Sequence, residues 1–142
     1  MIYTIGYGVS NAEDILAELK KNKITDLIDV RSIPYSRYKP EFNKTGFAAY
    51  LKNNNIKYHW NGKNIGGLKE NTFYDETLEN IFKTFADNKE RSCALMCSEG
   101  DYNRCHRKEL ASKLSKKGTL VYHIFKTNVI LHKDDSVQGV IV

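Results

Sequence analysis

Residues 92–107 read SCALMCSEGDYNRCHR. The apolar run 93–96 ends in Cys97, and a polar loop then carries Glu99, Gly100, Asp101 and Arg104 into Cys105, His106 and Arg107. An unbroken apolar run of this length, closed by polar residues, fits a strand buried on both faces, which has no solvent side to alternate with. The continuation KELASKLSKK puts Leu110, Ala111 and Leu114 at helical spacing, and Gly118 is a good C-terminal stop. Strand, reactive loop and helix start form the working unit of open α/β sheets, whose ligands sit outside the carboxyl ends of the strands. The centre of a functional site is therefore expected at residues 97–107.

The chain on either side repeats the same alternation. Residues 2–5 read as a strand ended by Gly6 and Gly8; Asn11 then offers an N-cap with Asp14 three residues on, and Ala12, Ile15, Leu16 and Leu19 follow at helical spacing. Residues 24–30 make a second strand, and Phe47, Tyr50, Leu51 and Asn54 predict a short helix after Gly46. Residues 56–60 form a third strand, 61–71 a glycine-rich connection, and Leu78, Ile81, Phe82 and Phe85 a helix started by Thr72 or Asp75. After the opening stretch, residues 119–125 give a fifth strand carrying His123. The tail, with two apolar runs around Asp134 and Asp135, reads as a hairpin or edge strand without assignable chemistry. Strands alternating with helices at this spacing predict an α/β fold: a single three-layer domain over residues 1–142, its mainly parallel, Rossmann-like sheet flanked by helices.

Composition narrows the class. The chain has 142 residues, 41% hydrophobic and 27% charged, as in an ordinary globular protein. No apolar run approaches the roughly 20 residues that span a bilayer, and MIYTIGYG lacks the basic start and apolar core of a signal peptide, so a cytoplasmic location and no membrane partner are expected. Three cysteines, an odd number without disulfide spacing, point to reduced thiols that either react or pack. The net charge of +5 favours polyanions or phosphorylated ligands. Lysines 20, 21, 23, 113, 116 and 117, which fall at predicted helix ends, equally fit a solvated face.

Several residues carry candidate chemistry. Asp29 lies inside an apolar strand with Arg31 on the same face two residues later, which makes a structural ion pair, a substrate contact by Arg31, or both. The segment SIPYSRYKPEFNKTG at 32–46 holds both prolines, the rings of Tyr35, Tyr38 and Phe42, and Arg37, Lys39 and Lys44. Cationic groups beside rings suit a planar or phosphorylated ligand, and a lid packing its own aromatics is the alternative. The Gly-Tyr-Gly turn at 6–8 lacks the third glycine of a dinucleotide fingerprint, so no cofactor is expected.

Cys97 meets a loop and the start of a helix, where unpaired amides favour a thiolate nucleophile. Glu99 and Asp101 oppose that charge, so Glu99 as general acid or base, with Cys97 only packing, stands beside it. A cysteine phosphatase would place an arginine after five intervening residues; here that position is Asn103, and Arg104 comes one late. Cys97, Cys105, His106 and His123 lack the close ligand spacing of a zinc site, and no metal is expected.

Taken together, TIGYG, DVRSIPYSRYKPEFN, IKYHWNGKNIGGL and CSEGDYNRCHRKELASKL resemble the prokaryotic family called domain of unknown function four-eight-eight, over roughly residues 1–125. The resemblance implies a small cytoplasmic α/β domain and carries over to Gly6, Asp29, Arg31, Pro34, Ser36, Arg37, Phe42, Gly66, Gly67, Cys97, Glu99, Cys105, His106 and Arg107. Tyr7 and Gly8 stand where that pattern often has histidine and serine, and Ile65 where it has leucine. Some relatives carry DNA-repair-type names. The Asp29-Val30-Arg31 strand and the loop at Cys97 also look faintly like a rhodanese, but the acids and the Cys-His-Arg ending depart from that pattern.

The resulting expectation is an enzyme-like domain whose crevice binds an anionic small molecule, a nucleotide or nucleic acid. Glu99, Cys97 and Asp101 are the catalytic candidates, and Arg31, Ser36, Arg37, Tyr35, Cys105, His106 and Arg107 the ligand-binding ones. A non-catalytic nucleic-acid-binding or adaptor module and a thiol-dependent, rhodanese-like enzyme are the alternatives.

Overall fold

In the computed structural model, which describes residues 1–67 and 73–134, strands and helices alternate along the chain. Their order is β1 (Ile2–Gly6), α1 (Ala12–Lys21), β2 (Asp26–Asp29), α2 (Lys44–Lys52), β3 (Lys57–Trp60), α3 (Gly62–Ile65), α4 (Tyr74–Phe85), β4 (Cys93–Cys97), α5 (Arg107–Lys116), β5 (Val121–Phe125) and β6 (Asn128–Leu131). The sheet runs β3-β2-β4-β1-β5-β6, parallel except for β6, which pairs antiparallel with β5.

Strand alternation sorts the core into two layers. Ile2, Cys93, Leu95, Cys97 and Val121 face one side and pack with Leu78, Ile81 and Phe85 of α4 and Leu110, Ala111 and Leu114 of α5. Tyr3, Ile5, Ala94, Met96 and Ile124 face the other and pack with Ile15 and Leu19 of α1 and Phe47 and Leu51 of α2. This is the three-layer α/β architecture, and β4 is apolar throughout because both its faces are covered. Truncating the fully buried Leu95 to alanine would cost about 2–5 kcal/mol.

Local signals set the element ends. Asn11 caps α1 by accepting from Asp14 N at 2.8 Å, and the Asp14 carboxylate accepts from Asn11 N at 3.2 Å. Helix α2 begins at Lys44, three residues before the expected start, with Asn43 extended at its N-cap. The start of the glycine-rich connection is the single-turn helix α3, closed by Asn64 N and Ile65 N donating to Asn61 O. The rest of that connection, at 68–71, and Thr72 lie outside the described residues, as does the tail from 135 onward. Asp75 falls in the first turn of α4. β5 starts at Val121, after Gly118 turns the chain at a φ of +108°.

The topology places one crevice. From β1 the chain crosses to β2 over the face of α1; from β4 it crosses to β5 over the face of α5. Neighbouring strands β1 and β4 thus send their connections to opposite faces, the switch point where open α/β sheets bind ligands. No helix among the described residues is long and apolar enough to cross a membrane.

Candidate functional site

At the switch point lies a cavity of about 440 Å³, within the usual range of about 300–1,000 Å³ for ligand sites. Tyr7 after β1, Arg31 and Ser32 after β2, and Cys97, Ser98 and Glu99 at the end of β4 contribute to it, with Ile33, Tyr35, Ser36, Gly67, Cys105 and His106 completing the walls. Three loops distant in sequence meet because parallel strands end on one edge.

Two thiols occupy the crevice. Cys97 Sγ and Cys105 Sγ lie 2.7 Å apart, both as free cysteines. Cys97 is buried, whereas Cys105, one turn ahead of α5, is only partly covered. Cys105 Sγ also meets Arg107 N and His106 Nδ1, each at 3.5 Å. The hydrogen bond from Cys97 lowers the Cys105 thiol pKa well below the ordinary value; burial opposes this, and His106 and Arg107 reinforce it. Cys97 moves the other way, raised by its contact with Cys105 and by burial against the pull of Arg107. The two sulfurs share one hydrogen bond, for which either can be the donor.

Arg107 supports this pair from beneath. It is fully buried, and its guanidinium donates to Cys97 Sγ (Nε, 3.0 Å), Thr4 Oγ1 (NH1, 2.9 Å) and the carbonyls of Glu99 (NH2, 2.7 Å) and Gly100 (NH2, 3.4 Å). No carboxylate of the described residues pairs with it; its acceptors are the Cys97 sulfur, the Thr4 hydroxyl and two carbonyls. A buried guanidinium is costly without such compensation. Gly6 makes room for the arrangement: a Cβ there would overlap the Glu99 carbonyl oxygen and crowd Arg107 NH2.

Behind Arg107 runs a chain of buried polar groups. Thr4 Oγ1 meets His123 Nδ1 at 2.5 Å, His123 Nε2 meets His132 Nδ1 at 2.8 Å, and His132 Nε2 meets Asp134 Oδ1 at 3.0 Å. Arginine only donates and an ionised carboxylate only accepts, so Thr4 accepts from Arg107 at one end and Asp134 accepts from His132 at the other. With His123 neutral and protonated on Nε2, Thr4 donates to His123 and His123 to His132. Burial holds the His123 pKa down at about 3, helped by the neighbouring His132 and Arg107 charges. Ser112 and His132 hydrogen bonds keep the Asp134 carboxyl below its usual range. The Tyr102 ring stacks on His123 at 3.9 Å. Sequence reasoning missed this chain. Its signal is Thr4 and His123, polar residues inside apolar strands, which the β1–β5 register sets side by side.

Across the crevice, Asp29 and Arg31 form a buried ion pair. Arg31 Nε donates to Asp29 Oδ1 at 2.9 Å and NH2 to Oδ2 at 2.7 Å, while NH2 also reaches Phe42 O at 2.7 Å. Burial works against the guanidinium, yet the Asp29 hydrogen bonds and charge hold its pKa above the ordinary value. Tyr58 OH adds a 2.5 Å hydrogen bond to Asp29 Oδ2. Arg31 NH1 makes a 3.4 Å contact to Tyr7 OH, its one hydrogen bond among the described residues. The Tyr7 ring stacks on Phe42 at 4.0 Å, fixing the floor of this wall.

The remaining candidates divide. Ser36 and Tyr35 line the crevice; the Ser36 hydroxyl also accepts from Tyr38 N and Lys39 N, and Lys39 Nζ ties the loop to the carbonyls of Val9 and Ser10. Residues 32–43 are thereby an ordered wall. Glu99 lines the crevice with an exposed side chain that accepts from Asp101 N. Asp101 lies off the crevice wall, its carboxylate capping the turn Tyr102–Arg104 through Asn103 N at 3.0 Å. Arg37 and Arg104 are exposed and do not line the cavity, while Arg107 sits beneath it rather than on its surface. His106 Nε2 is buried without a hydrogen-bond partner among the described residues. Among the described residues, no group of three or more His, Cys, Asp or Glu side chains is placed to hold a metal ion.

Fold and crevice together define an α/β protein with a thiol pair at the topological switch point. The family described as Domain of unknown function DUF488 matches residues 11–86, more than half of the chain, and the chain belongs to that family. The match covers the Asp29–Arg31 wall and ends before β4, so the thiol loop lies beyond it. No curated protein and no solved structure gives a match.

Proposed function

We propose that this chain is a thiol-dependent enzyme acting on an anionic ligand held at the carboxyl ends of β1, β2 and β4. The observation that carries the reading is the Cys105 sulfur, 2.7 Å from the buried Cys97 thiol, which itself accepts from the Arg107 guanidinium, a group with no carboxylate partner among the described residues. Such surroundings favour a thiolate, the form in which cysteine attacks. Cys105 is then the nucleophile and Cys97 the buried thiol that stabilises it. Arg31 NH1, Ser36 and His106 face the anion, Tyr35 flanks it, and Glu99 delivers a proton to the leaving group.

Iodoacetamide alkylation followed by peptide mapping tests this reading. Cys105 is expected to be labelled at pH 6 nearly as fast as at pH 8. Inorganic phosphate should slow labelling more than chloride at equal ionic strength. Labelling that rises only through the ordinary thiol range near about 8.5, or that ignores phosphate, refutes it.

A second reading, binding of a single-stranded nucleic acid segment, draws on the exposed rings of Tyr35 and Tyr38 around the exposed Arg37. Salt-dependent DNA or RNA binding unchanged by Glu99→Gln and Cys97→Ser would favour this module over the enzyme.

A further inference from the structure

We infer that Cys97 and Cys105 are a dithiol–disulfide couple, so that the substrate class of this site is a small anionic disulfide. The inference rests on the thiol-enzyme reading and adds to it a second, covalent role for Cys97. Three features of the site support it.

The first is distance. The sulfurs stand 2.7 Å apart against about 2.05 Å in a disulfide, so closing the bond needs less than about 1 Å of movement. The second is that the intervening loop is already closed. Arg107 NH2 holds the Glu99 and Gly100 carbonyls, and Asp101 caps the turn that follows, so the loop a disulfide would close is preformed. The third is His106: its Nε2 is buried without a partner among the described residues, while Nδ1 lies 3.5 Å from Cys105 Sγ. A buried ring nitrogen left unpaired is costly, a cost offset when a substrate or leaving group supplies the partner. The remaining thiol, Cys93, lies at the start of β4, fully buried and with its pKa raised by that burial, and takes no part.

The chemistry balances as a thiol–disulfide exchange. The Cys105 thiolate attacks one sulfur of the disulfide R–S–S–R′; a Cys105–S–S–R bond forms as the S–S′ bond breaks, and R′–S⁻ takes up a proton. Cys97 then attacks Cys105 Sγ, its own proton going to the departing R–S⁻. The products are the Cys97–Cys105 disulfide, RSH and R′SH. Two electrons pass from the protein to the substrate, and one solution proton is consumed because Cys105 starts as the thiolate. A small-molecule thiol returns the two electrons by the reverse sequence.

The test uses 5,5′-dithiobis(2-nitrobenzoate), an anionic aromatic disulfide, added in a one-to-one ratio to the reduced full chain. The wild type is expected to release about two nitrothiophenolates per chain, to retain none, and to give a Cys97–Cys105 cross-linked peptide on mass mapping. Cys97→Ser and Cys97→Ala should release one and retain the other on Cys105. Thermal melts of each variant, compared with wild type, show that the fold persists. A wild type that retains the adduct on Cys105 overturns the couple and leaves the nucleophile standing. A folded wild type whose Cys105 fails to react, while the urea-unfolded chain reacts, overturns both.

Discussion

Acidification from pH 7 to pH 5 should remove about 2 kcal/mol of folding stability through His123 alone. Native His123 is fully buried between Thr4 and His132, and its pKa is held at about 3. An unfolded histidine titrates near about 6.5. Between these values the unfolded chain binds a proton that the native ring refuses, so stability rises with pH and is lost as pH falls through 6.5 towards 3. The limiting slope is about 1.4 kcal/mol per pH unit, and the roughly 1.5 units between 6.5 and 5 give the figure above. Three other groups need separating. Cys105, whose pKa is lowered, contributes a slope of the same sign over this range, and the lowered carboxyls of Asp26 and Asp134 lose their contribution only further down, from about 3.9, the ordinary carboxyl value, and below. The His123 share is therefore the difference between wild type and His123→Gln, an amide that still accepts from Thr4 and donates to His132. Equilibrium urea unfolding under reducing conditions at pH 7, 6 and 5 measures it. The variant should be less stable at pH 7 yet show a flatter pH dependence. If His123→Gln keeps the wild-type slope, the neutral histidine relay is refuted.

Other perturbations separate the parts of the site. Arg107→Met removes the donors to Cys97, Thr4 and two carbonyls; it should cost about 2–4 kcal/mol in urea unfolding and raise the midpoint of the pH profile of Cys105 alkylation by about one unit. Gly6→Ala drives a Cβ into the Glu99 carbonyl and should lower stability by about 2 kcal/mol or more, with loss of the rapid alkylation, because the loop that holds Arg107 must move. Asp29→Asn leaves the buried Arg31 charge uncompensated and should cost about 3–5 kcal/mol by the same assay, with Cys105 reactivity largely retained in the folded fraction.

Much of the fold was legible because β4 is apolar on both faces and α1, α4 and α5 carry clear helical stripes; burial of those stripes leaves few alternatives to a parallel sheet between helices. The meeting of the loops after β1, β2 and β4 followed from parallel strands ending on one edge. Roles within the crevice were harder to read. Sequence spacing showed Cys97 and Cys105 eight residues apart, yet their 2.7 Å approach depends on the turn that Asp101 caps and the carbonyls that Arg107 gathers. Asp101 looks catalytic on paper because an acid near a thiol suggests proton transfer; in the fold its carboxylate is engaged with Asn103 N. Arg107 looks like a ligand contact, but the helical phase of α5 turns it inward. The tail gave no chemical signal, since His132 and Asp134 acquire meaning only when β6 lies beside β5.

The chain from Arg107 to Asp134 also bears on how the protein acquires its reactivity. Thr4 and His123 are separated by 119 positions, and Arg107 reaches Thr4 across 103. Contacts of such sequence separation form late and slowly. In the proposed enzyme the Cys105 thiolate arises only once β1 and α5 have docked and Arg107 is held against Thr4 and Cys97, so its alkylation rate during refolding should track the final kinetic phase rather than the collapse that precedes it.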